Sequence, residues 1–277
     1  MTVDMKKNIL ICDEKEKVWV IGDVHGCYDE FMEIINSSQI ARTDIVIIIG
    51  DIIDRGPDSV KMLEWAMKNV NNGGKYLMIR GNHEQNIIED YTALLEEWYR
   101  KNKYIIDKGE LPSDYKEQSI YDLGCEYEFC EYMERAGIIN IGQAEKYIDW
   151  MRTLPLYFKV KLPNEKTFVI AHGWFEGNIT SDGEIEQILP NDDIVWNRDI
   201  DSDYNLVKDD YHPMEKGEML IHGHTPIIVI KGHRVKLAEP IYRTHSVNID
   251  GGCFMGKQYG GRLIAMCLNN FKVIYSD

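Results

Sequence analysis

The chain has 277 residues, of which 44% are hydrophobic and 28% are charged, as in an ordinary soluble globular protein. This length suits one large α/β domain or two small ones. The net charge of −15 argues against general nucleic-acid binding, which rests on clustered Lys and Arg. It also predicts that an anionic substrate is repelled unless bound cations reverse the sign locally.

The sequence predicts no membrane segment. No apolar run approaches the roughly 20 residues of a membrane span, and residues 1–8 lack the apolar core of a signal peptide. We therefore expect a cytoplasmic protein. The six cysteines contain no C-x-x-C pair, so neither a thiolate zinc site nor a disulfide framework is expected. Cys27 adjoins a motif described below, where oxidation could matter; the alternative is a small buried apolar residue.

The first third of the chain repeats one pattern three times, after a hairpin predicted over residues 8–12 and 18–22. In each repeat an apolar strand leads into a polar, glycine-bounded loop and then a helix. The loops read G-D-V-H-G, G-D-I-I-D-R-G-P and R-G-N-H-E, and the third helix is predicted from about Gln85. Three consecutive βα units imply parallel strands with right-handed crossovers, so their loops should line up along one sheet edge.

The rest of the chain does not repeat this pattern and combines a helical segment with a strand-rich one. Residues 87–150 are rich in Glu and Tyr and read as an inserted helical lid, or alternatively as a solvated helical face. A strand over residues 166–171 ends at His172, and another over 219–221 leads into H-G-H-T-P. Further strands are predicted over residues 227–230, 244–250, 263–268 and 271–275. These strands should form a second sheet packed on the first, within a single α/β domain spanning residues 1–277.

Side chains at the predicted strand ends form a set of metal ligands. They are Asp23, His25, Asp51, Asn82, His172 and His224. Carboxylate, amide oxygen and imidazole without thiolate suit Mn²⁺, Fe or Zn²⁺ rather than Ca²⁺. Six side chains are too many for one open catalytic ion, and they fit two ions that share a bridging carboxylate.

The five blocks G-D-V-H-G, G-D-I-I-D-R-G, G-N-H-E, H-G and G-H-T-P, in this order, resemble the phosphoprotein phosphatase family of calcineurin-like metallophosphoesterases. The resemblance runs from about Val18 to Gly261. It implies two packed mixed β-sheets flanked by helices, a four-layer α/β/β/α sandwich. It also implies a dinuclear metal enzyme, with Mn²⁺ the first expectation, that attacks phosphorus with a hydroxide held between the ions.

The resemblance implies a role for each ligand. Asp23, His25 and Asp51 would hold the first ion, and Asp51 would bridge to the second. Asn82, His172 and His224 would complete that second ion. In H-G-H-T-P we assign the ligand to His224 from the family's G-H-T pattern, which leaves His222 as a packed or supporting histidine.

The same resemblance assigns the catalytic groups. His83 would protonate the leaving oxygen, and Asp54 would orient that imidazole. Arg55 and Arg198 would grip the phosphoryl oxygens, since their planar guanidinium groups match them. Glu84 is expected to support its loop rather than to bind metal.

The metal core does not choose the substrate, because phosphoprotein phosphatases and dinucleoside polyphosphate hydrolases share it. We favour a phosphomonoesterase acting on phosphoserine or phosphothreonine, with diadenosine tetraphosphate hydrolysis as the alternative. A third hypothesis, a non-catalytic phosphate-binding module, would require a lost ligand, and none is missing. The blocks look more like bacterial and phage members, so no eukaryotic-type regulatory subunit is expected.

Overall fold

The structure is a computed structural model. It describes residues 2–4, 8–71, 73–101, 115–117, 140–173, 177–179, 185–187, 195–196, 218–232, 236–243 and 245–277. The strands are β1 Thr2–Asp4, β2 Ile9–Ile11, β3 Val18–Ile21, β4 Ile45–Ile48, β5 Tyr76–Met78, β6 Tyr157–Lys161, β7 Thr167–Ala171, β8 Gly177–Ile179, β9 Ile185–Gln187, β10 Glu218–His222, β11 Ile241–Tyr242, β12 Ser246–Asn248, β13 Ile264–Cys267 and β14 Val273–Tyr275. The α-helices are α1 Tyr28–Ile35, α2 Ser59–Asn69, α3 Asn82–Lys101, α4 Ile141–Arg152 and α5 Ile227–Lys231. Short 3-10 helices span Tyr115–Glu117, Cys253–Met255 and Lys257–Tyr259.

The three predicted βα units form the smaller of the two main sheets, whose strand order is β14-β13-β3-β4-β5. Strands β3, β4 and β5 are parallel neighbours, as the repeat predicts. Strand β13 pairs with both β3 and β14 in antiparallel register, so the sheet is mixed. The strands predicted over residues 263–268 and 271–275 therefore belong to this sheet, and their expected place in the second sheet is wrong. The carboxyl ends of the three parallel strands therefore share one edge, and the three polar loops follow from it.

The larger sheet has seven strands in the order β1-β2-β6-β7-β10-β12-β11 and is also mixed. The hairpin predicted over residues 8–12 and 18–22 is wrong, because β2 belongs to this sheet whereas β3 lies in the smaller one. All four residues of β3 are buried. A strand that is apolar on both faces needs cover on both, and the centre of a sheet between two layers supplies it.

The two sheets pack face to face around a shared apolar core. Residues from β3, β4 and β5 meet residues from β6, β7, β10 and β12 there, among them Val20, Ile47, Phe158, Ile170 and Val247. A second core lies on the other face of the smaller sheet, where helices α1 to α4 pack against it through residues such as Phe31, Leu63, Ile88 and Ile148. The fold is thus α/β, with two mixed sheets flanked by helices.

One predicted strand is a helix. Residues 227–230, taken above as a strand, form α5 directly after Pro226. Ile227 and Ile228 are buried, whereas Val229 is 60% exposed. A short apolar run does not distinguish a strand from one turn of helix, and the run was therefore misassigned. Helix α3 also begins at Asn82, three residues before the predicted start.

Both ends of the insert predicted over residues 87–150 belong to core helices. Ile87, Ile88 and Tyr91 of α3 pack into the same core as Ile141 and Ile148 of α4. Most of the intervening segment lies outside the described residues. The lid and the single-domain organisation therefore stay predictions.

Candidate active site

The predicted ligands leave the carboxyl ends of strands in both sheets. They are Asp23 and His25 after β3, Asp51 after β4, Asn82 after β5, His172 after β7 and His224 after β10. All six are buried. The convergence follows from the packing of the sheets, which brings the strand ends of both sheets to one place.

Asp51 lies at the centre of this group. Its Oδ2 is 3.5 Å from His25 Nε2 and 3.3 Å from His172 Nε2. Asp51 belongs to two groups of potential ligand atoms, one with His25 and His83 and one with His172 and His224, each spanning no more than 4.8 Å. A carboxylate common to two such groups is placed as a ligand shared by two ions must be.

Asn82 organises the second group. Its Oδ1 lies 2.9 Å from His172 Nε2 and 2.7 Å from His224 Nδ1. The ring of His172 is held by its other nitrogen, Nδ1, which donates to the Ile49 carbonyl at 2.8 Å. The Nε2 atom of His172 therefore faces Asn82 and Asp51, and His25 is oriented in the same way by the Ile53 carbonyl.

Asp23 is a buried carboxylate that only partly satisfies its hydrogen-bonding capacity within the described residues. It is 1% exposed, and its Oδ2 accepts from the His224 amide at 3.0 Å. Its Oδ1 finds no hydrogen-bond donor among the described residues. Burial and the nearby Asp250 carboxylate raise the pKa of Asp23 well above its ordinary value. A cation beside Oδ1 would satisfy this atom, so the residues present fit a bound metal.

Two glycines allow the carboxylates to approach the neighbouring loops. A Cβ atom on Gly81 would stand 2.2 Å from Asp51 Oδ1, and one on Gly223 would stand 2.0 Å from Asp23 Oδ1. No side chain fits at either distance. These glycines of G-N-H-E and H-G-H-T-P thus serve close packing around the ligands.

The site also concentrates left-handed backbone. Of the eight described residues other than glycine with positive φ, five lie here: His25, Asp51, Asp54, Arg55 and His224. Such conformations are uncommon for residues with a Cβ and persist only where surrounding contacts hold them. The fold therefore holds these loops in an uncommon backbone geometry where the candidate ligands converge.

Glu84 supplies part of that support. Its fully buried carboxylate accepts three backbone amides, from Asp51 at 2.9 Å, Ile52 at 2.9 Å and Gly81 at 2.8 Å. It thereby ties the loop after β4 to the loop after β5. Burial, followed by the charge of Asp51, raises the pKa of Glu84 to about 7. These contacts confirm the supporting role predicted for Glu84.

The histidines and Asp51 set one another's charge. Burial alone would raise the pKa of Asp51, but His172, His83 and His25 hold it well below its ordinary value. Burial alone would lower the pKa of His172, but Asp51 and Asp23 raise it to about 10. Burial lowers the pKa of His25 to about 4, which favours the neutral imidazole that a metal requires.

His83 and Asp54 form a hydrogen-bonded pair through His83 Nδ1 and Asp54 Oδ2. The imidazole is partly exposed, and its Nε2 lies 3.9 Å from Asp51 Oδ2. Burial alone would lower the pKa of His83, but Asp54 and Asp51 raise it above its ordinary value. A protonated, oriented imidazole at the edge of the ligand group can donate a proton to a substrate oxygen.

Arg55 lies across the same edge. Its Nη1 is 3.0 Å from His25 Nε2, and its guanidinium stacks on the Phe254 ring with 4.6 Å between the carbon and the ring centroid. The Phe254 ring also meets the His25 ring, 5.2 Å between centroids. Phe254 was not predicted from the sequence, because nothing in C-F-M marks it as a neighbour of the ligands.

Two other residues went unrecognised in the sequence. Asp250 is fully buried, and its Oδ1 accepts from the Gly252 amide at 2.9 Å. Trp196 is 37% exposed, and its ring centroid lies 6.5 Å from that of His224. Nothing local in the sequence marks either residue as a neighbour of the ligands, because that proximity depends on the fold. Arg198 lies outside the described residues.

The donor set is oxygen and nitrogen throughout, which suits a borderline divalent metal and excludes none of Mn²⁺, Fe or Zn²⁺. Buried carboxylates and imidazoles around one shared aspartate suit a metal-dependent hydrolase. The comparisons agree. The chain belongs to the calcineurin-like phosphoesterase family, whose profile matches residues 16–265. It is therefore a metal-dependent phosphoric ester hydrolase, as the resemblance implied.

Similar proteins include several bis(5′-nucleosyl)-tetraphosphatases. The asymmetrical enzyme PrpE of Oceanobacillus iheyensis is 25% identical over 254 residues, covering 87% of this chain and 86% of that protein. PrpE of Halalkalibacterium halodurans is 28% identical, covering 89% and 88%. The symmetrical enzyme of Wigglesworthia glossinidia brevipalpis is 31% identical, but over only 56% of this chain and 43% of that protein.

Solved structures share the fold. The crystal structure of a candidate diadenosine tetraphosphatase superposes with a TM-score of 0.55 at 16% identity, covering 97% of both chains. A serine/threonine phosphatase from Saccharomyces cerevisiae superposes with a TM-score of 0.53 at 13% identity, covering 97% of this chain and 82% of that one. Among the described residues, no helix is long and apolar enough to cross a membrane.

Proposed function

We propose that the protein hydrolyses bis(5′-nucleosyl) tetraphosphates asymmetrically, taking one water and giving a nucleoside triphosphate and a nucleoside monophosphate. The observation that supports this substrate is the end-to-end likeness to PrpE enzymes, with nearly nine tenths of both chains covered. The symmetrical relative matches only part of each chain. The proposal replaces the preference for phosphoserine or phosphothreonine that the sequence suggested.

The proposed chemistry rests on the ligand group around Asp51. Asp23, His25 and Asp51 would hold one divalent ion, and Asp51, Asn82, His172 and His224 a second. Bound there, two ions would polarise phosphoryl oxygens and lower the pKa of water. Mn²⁺ is our first choice, with Fe and Zn²⁺ as alternatives.

The surrounding side chains have proposed roles that follow from their positions. His83, oriented by Asp54, would give its proton to the leaving phosphate oxygen. Arg55 would turn from His25 to the substrate and donate to phosphoryl oxygens, with Phe254 stacked beneath it. Arg198 would be a second phosphate-binding arginine, as the resemblance implies.

Trp196 gives the substrate proposal a local test. A half-exposed indole beside a metal ligand offers a face on which a nucleobase can stack, worth about 1–3 kcal/mol per base. Trp196→Ala should therefore raise the KM for diadenosine tetraphosphate by about 5- to 150-fold. It should leave the KM for p-nitrophenyl phosphate, which carries no base, nearly unchanged. Tyr259→Ala, which removes an exposed aromatic ring 67% accessible to solvent, is the control.

The deciding experiment offers diadenosine tetraphosphate and a phosphoserine peptide to the Mn²⁺-loaded protein side by side. ATP plus AMP as products would support the proposal. Two ADP would mean symmetrical cleavage. Release of phosphate from the peptide without cleavage of the dinucleotide would support a phosphoprotein phosphatase instead. No turnover of any substrate with any divalent metal would favour the non-catalytic module.

The metal arrangement is tested separately by counting ions. Asp51→Asn removes one charge from the carboxylate that both groups share, so bound Mn²⁺ should fall from two ions per chain to fewer than one. Asp149→Asn changes a carboxylate that is 68% exposed on the surface and should keep both ions. Full retention of both ions in Asp51→Asn would refute the bridge.

A further inference from the structure

Two thiols and a carboxylate meet beside the ligand group but outside it. Cys27 directly precedes α1, Glu30 lies in the first turn of α1, and Cys253 begins the 3-10 helix Cys253–Met255. One ligand atom from each residue lies within 4.8 Å of the other two. The cysteines are 6% and 5% exposed, and they come from opposite ends of the chain. The fold, not a sequence motif, brings them together.

We propose that Cys27, Glu30 and Cys253 form a separate binding site for a thiophilic divalent cation such as Zn²⁺ or Cd²⁺. Thiolate sulfur selects such ions over Mn²⁺, whereas the oxygen and nitrogen donors around Asp51 suit Mn²⁺ as well as Zn²⁺. Zn–S bonds of about 2.3 Å place two tetrahedral sulfur ligands about 3.8 Å apart. The three ligand atoms lie within 4.8 Å of one another, on the scale of that geometry, and a water would take the fourth position.

The charges around the thiols favour a cation. The thiol of Cys253 is hydrogen-bonded to that of Cys27, and this bond, burial and the charges of Glu30 and Asp250 raise its pKa. A divalent cation deprotonates the thiols that bind it, so one ion replaces two protons, which leave to solvent. Glu30 then changes from a repelling neighbour to a ligand.

This site is mechanically linked to the active site. The Cys27 thiol donates to the His25 carbonyl, with 3.6 Å between sulfur and oxygen. Phe254, next to Cys253, contacts both His25 and Arg55. An ion that draws the two cysteines together would shift the residues beneath Arg55 and beside His25. We therefore expect occupancy to lower turnover.

The test titrates reduced, metal-free protein with Cd²⁺ in a phosphine reductant and follows thiolate-to-metal charge-transfer absorption. The band should reach an amplitude of two thiolates per chain, because the ligand group around Asp51 contains no sulfur. Cys27→Ser and Cys253→Ser should each lower the amplitude by half or more. Cys12→Ser and Cys267→Ser, which alter buried free thiols elsewhere, should keep it unchanged. Absence of the band, or its full persistence in Cys27→Ser and Cys253→Ser, would overturn the proposal.

A second measurement needs no cysteine variant. Mn²⁺-loaded protein receives one equivalent of Cd²⁺, and X-ray absorption at the Cd edge should show sulfur neighbours; only oxygen and nitrogen neighbours would reject the site.

Glu30→Gln should raise the Kd for Cd²⁺ at least about 10-fold, on the scale of losing a supporting carboxylate. An unchanged Kd would remove Glu30 from the ligand set. Equal inhibition of wild type and Cys27→Ser by Cd²⁺ would refute the link to turnover.

Discussion

Replacing His83 with Asn separates proton donation from metal binding. The His83 backbone amide donates to Asp51 Oδ1 at 2.9 Å, and Asn keeps that amide. The imidazole itself approaches Asp51 Oδ2 only to 3.9 Å, which is beyond hydrogen-bond distance. His83→Asn should therefore retain two Mn²⁺ per chain while losing the proton that Asp54 orients.

The expected loss in turnover is about 10²–10⁴-fold, the usual contribution of a general acid, or about 3–5 kcal/mol in activation free energy. The loss should grow with the basicity of the leaving oxygen, because a poor leaving group depends more on protonation. A phosphoserine or alkyl phosphate substrate should lose the most, and p-nitrophenyl phosphate the least. Asp54→Asn keeps the imidazole but removes its orienting charge, so its loss should be smaller.

The assay compares kcat for an alkyl phosphate and p-nitrophenyl phosphate in wild type, His83→Asn and Asp54→Asn, with Mn²⁺ content measured on the same samples. Equal losses for both leaving groups would show that His83 does not act as the acid. Unchanged turnover with intact metal would reject the role entirely. Loss of metal in His83→Asn would show instead that the side chain is needed to hold the ligand group.

Two further variants test the packing around the ligands. Gly223→Ala places a methyl group 2.0 Å from Asp23 Oδ1, so the carboxylate must move and bound Mn²⁺ should fall by about one ion per chain. The control Gly73→Ala is strained at φ +96° but has nothing within 4 Å of the added carbon, so it should keep both ions. Equal Mn²⁺ content in the two variants would contradict the role of Gly223 in packing against Asp23. Phe254→Leu removes the ring beneath Arg55 and should lower kcat/KM about 2- to 30-fold, the range of a cation–π contact of 0.5–2 kcal/mol. An unchanged kcat/KM would show that Arg55 needs no such support.

The sequence predicts the smaller sheet well for a physical reason. Each of its parallel strands is buried on both faces, so each appears as a continuous apolar run, and the polar loop after it stands out. The positions of Asp23, Asp51 and Asn82 at one edge then follow from βα topology. The same reasoning fails where a run is short, as in α5, or where two neighbouring strands enter different sheets, as β2 and β3 do.

The second half of the site has no comparable local signal. His172 and His224 leave strands of the larger sheet, and their approach to Asn82 depends on how the two sheets pack. The sequence places both at strand ends, but only the resemblance to a family assigns the ligand to His224 rather than His222. Contacts between residues far apart in the chain, such as Cys27 with Cys253 or Arg55 with Phe254, lack even that guide, since Cys253 and Phe254 lie outside every block of the resemblance.

An acidic chain should repel the proposed polyanionic substrate, and bound metal ions at the site would offset that repulsion. A net charge of −15 opposes the approach of a tetraphosphate. Asp23, Asp51 and Asp250 add buried carboxylates to that field, and Asp23 keeps one oxygen without a donor among the described residues. Two divalent ions would add four positive charges at this one place, and Arg55 lies at its edge. The same carboxylates that would repel the proposed substrate in the absence of metal would thus, by binding the two ions, concentrate the positive charge that attracts it.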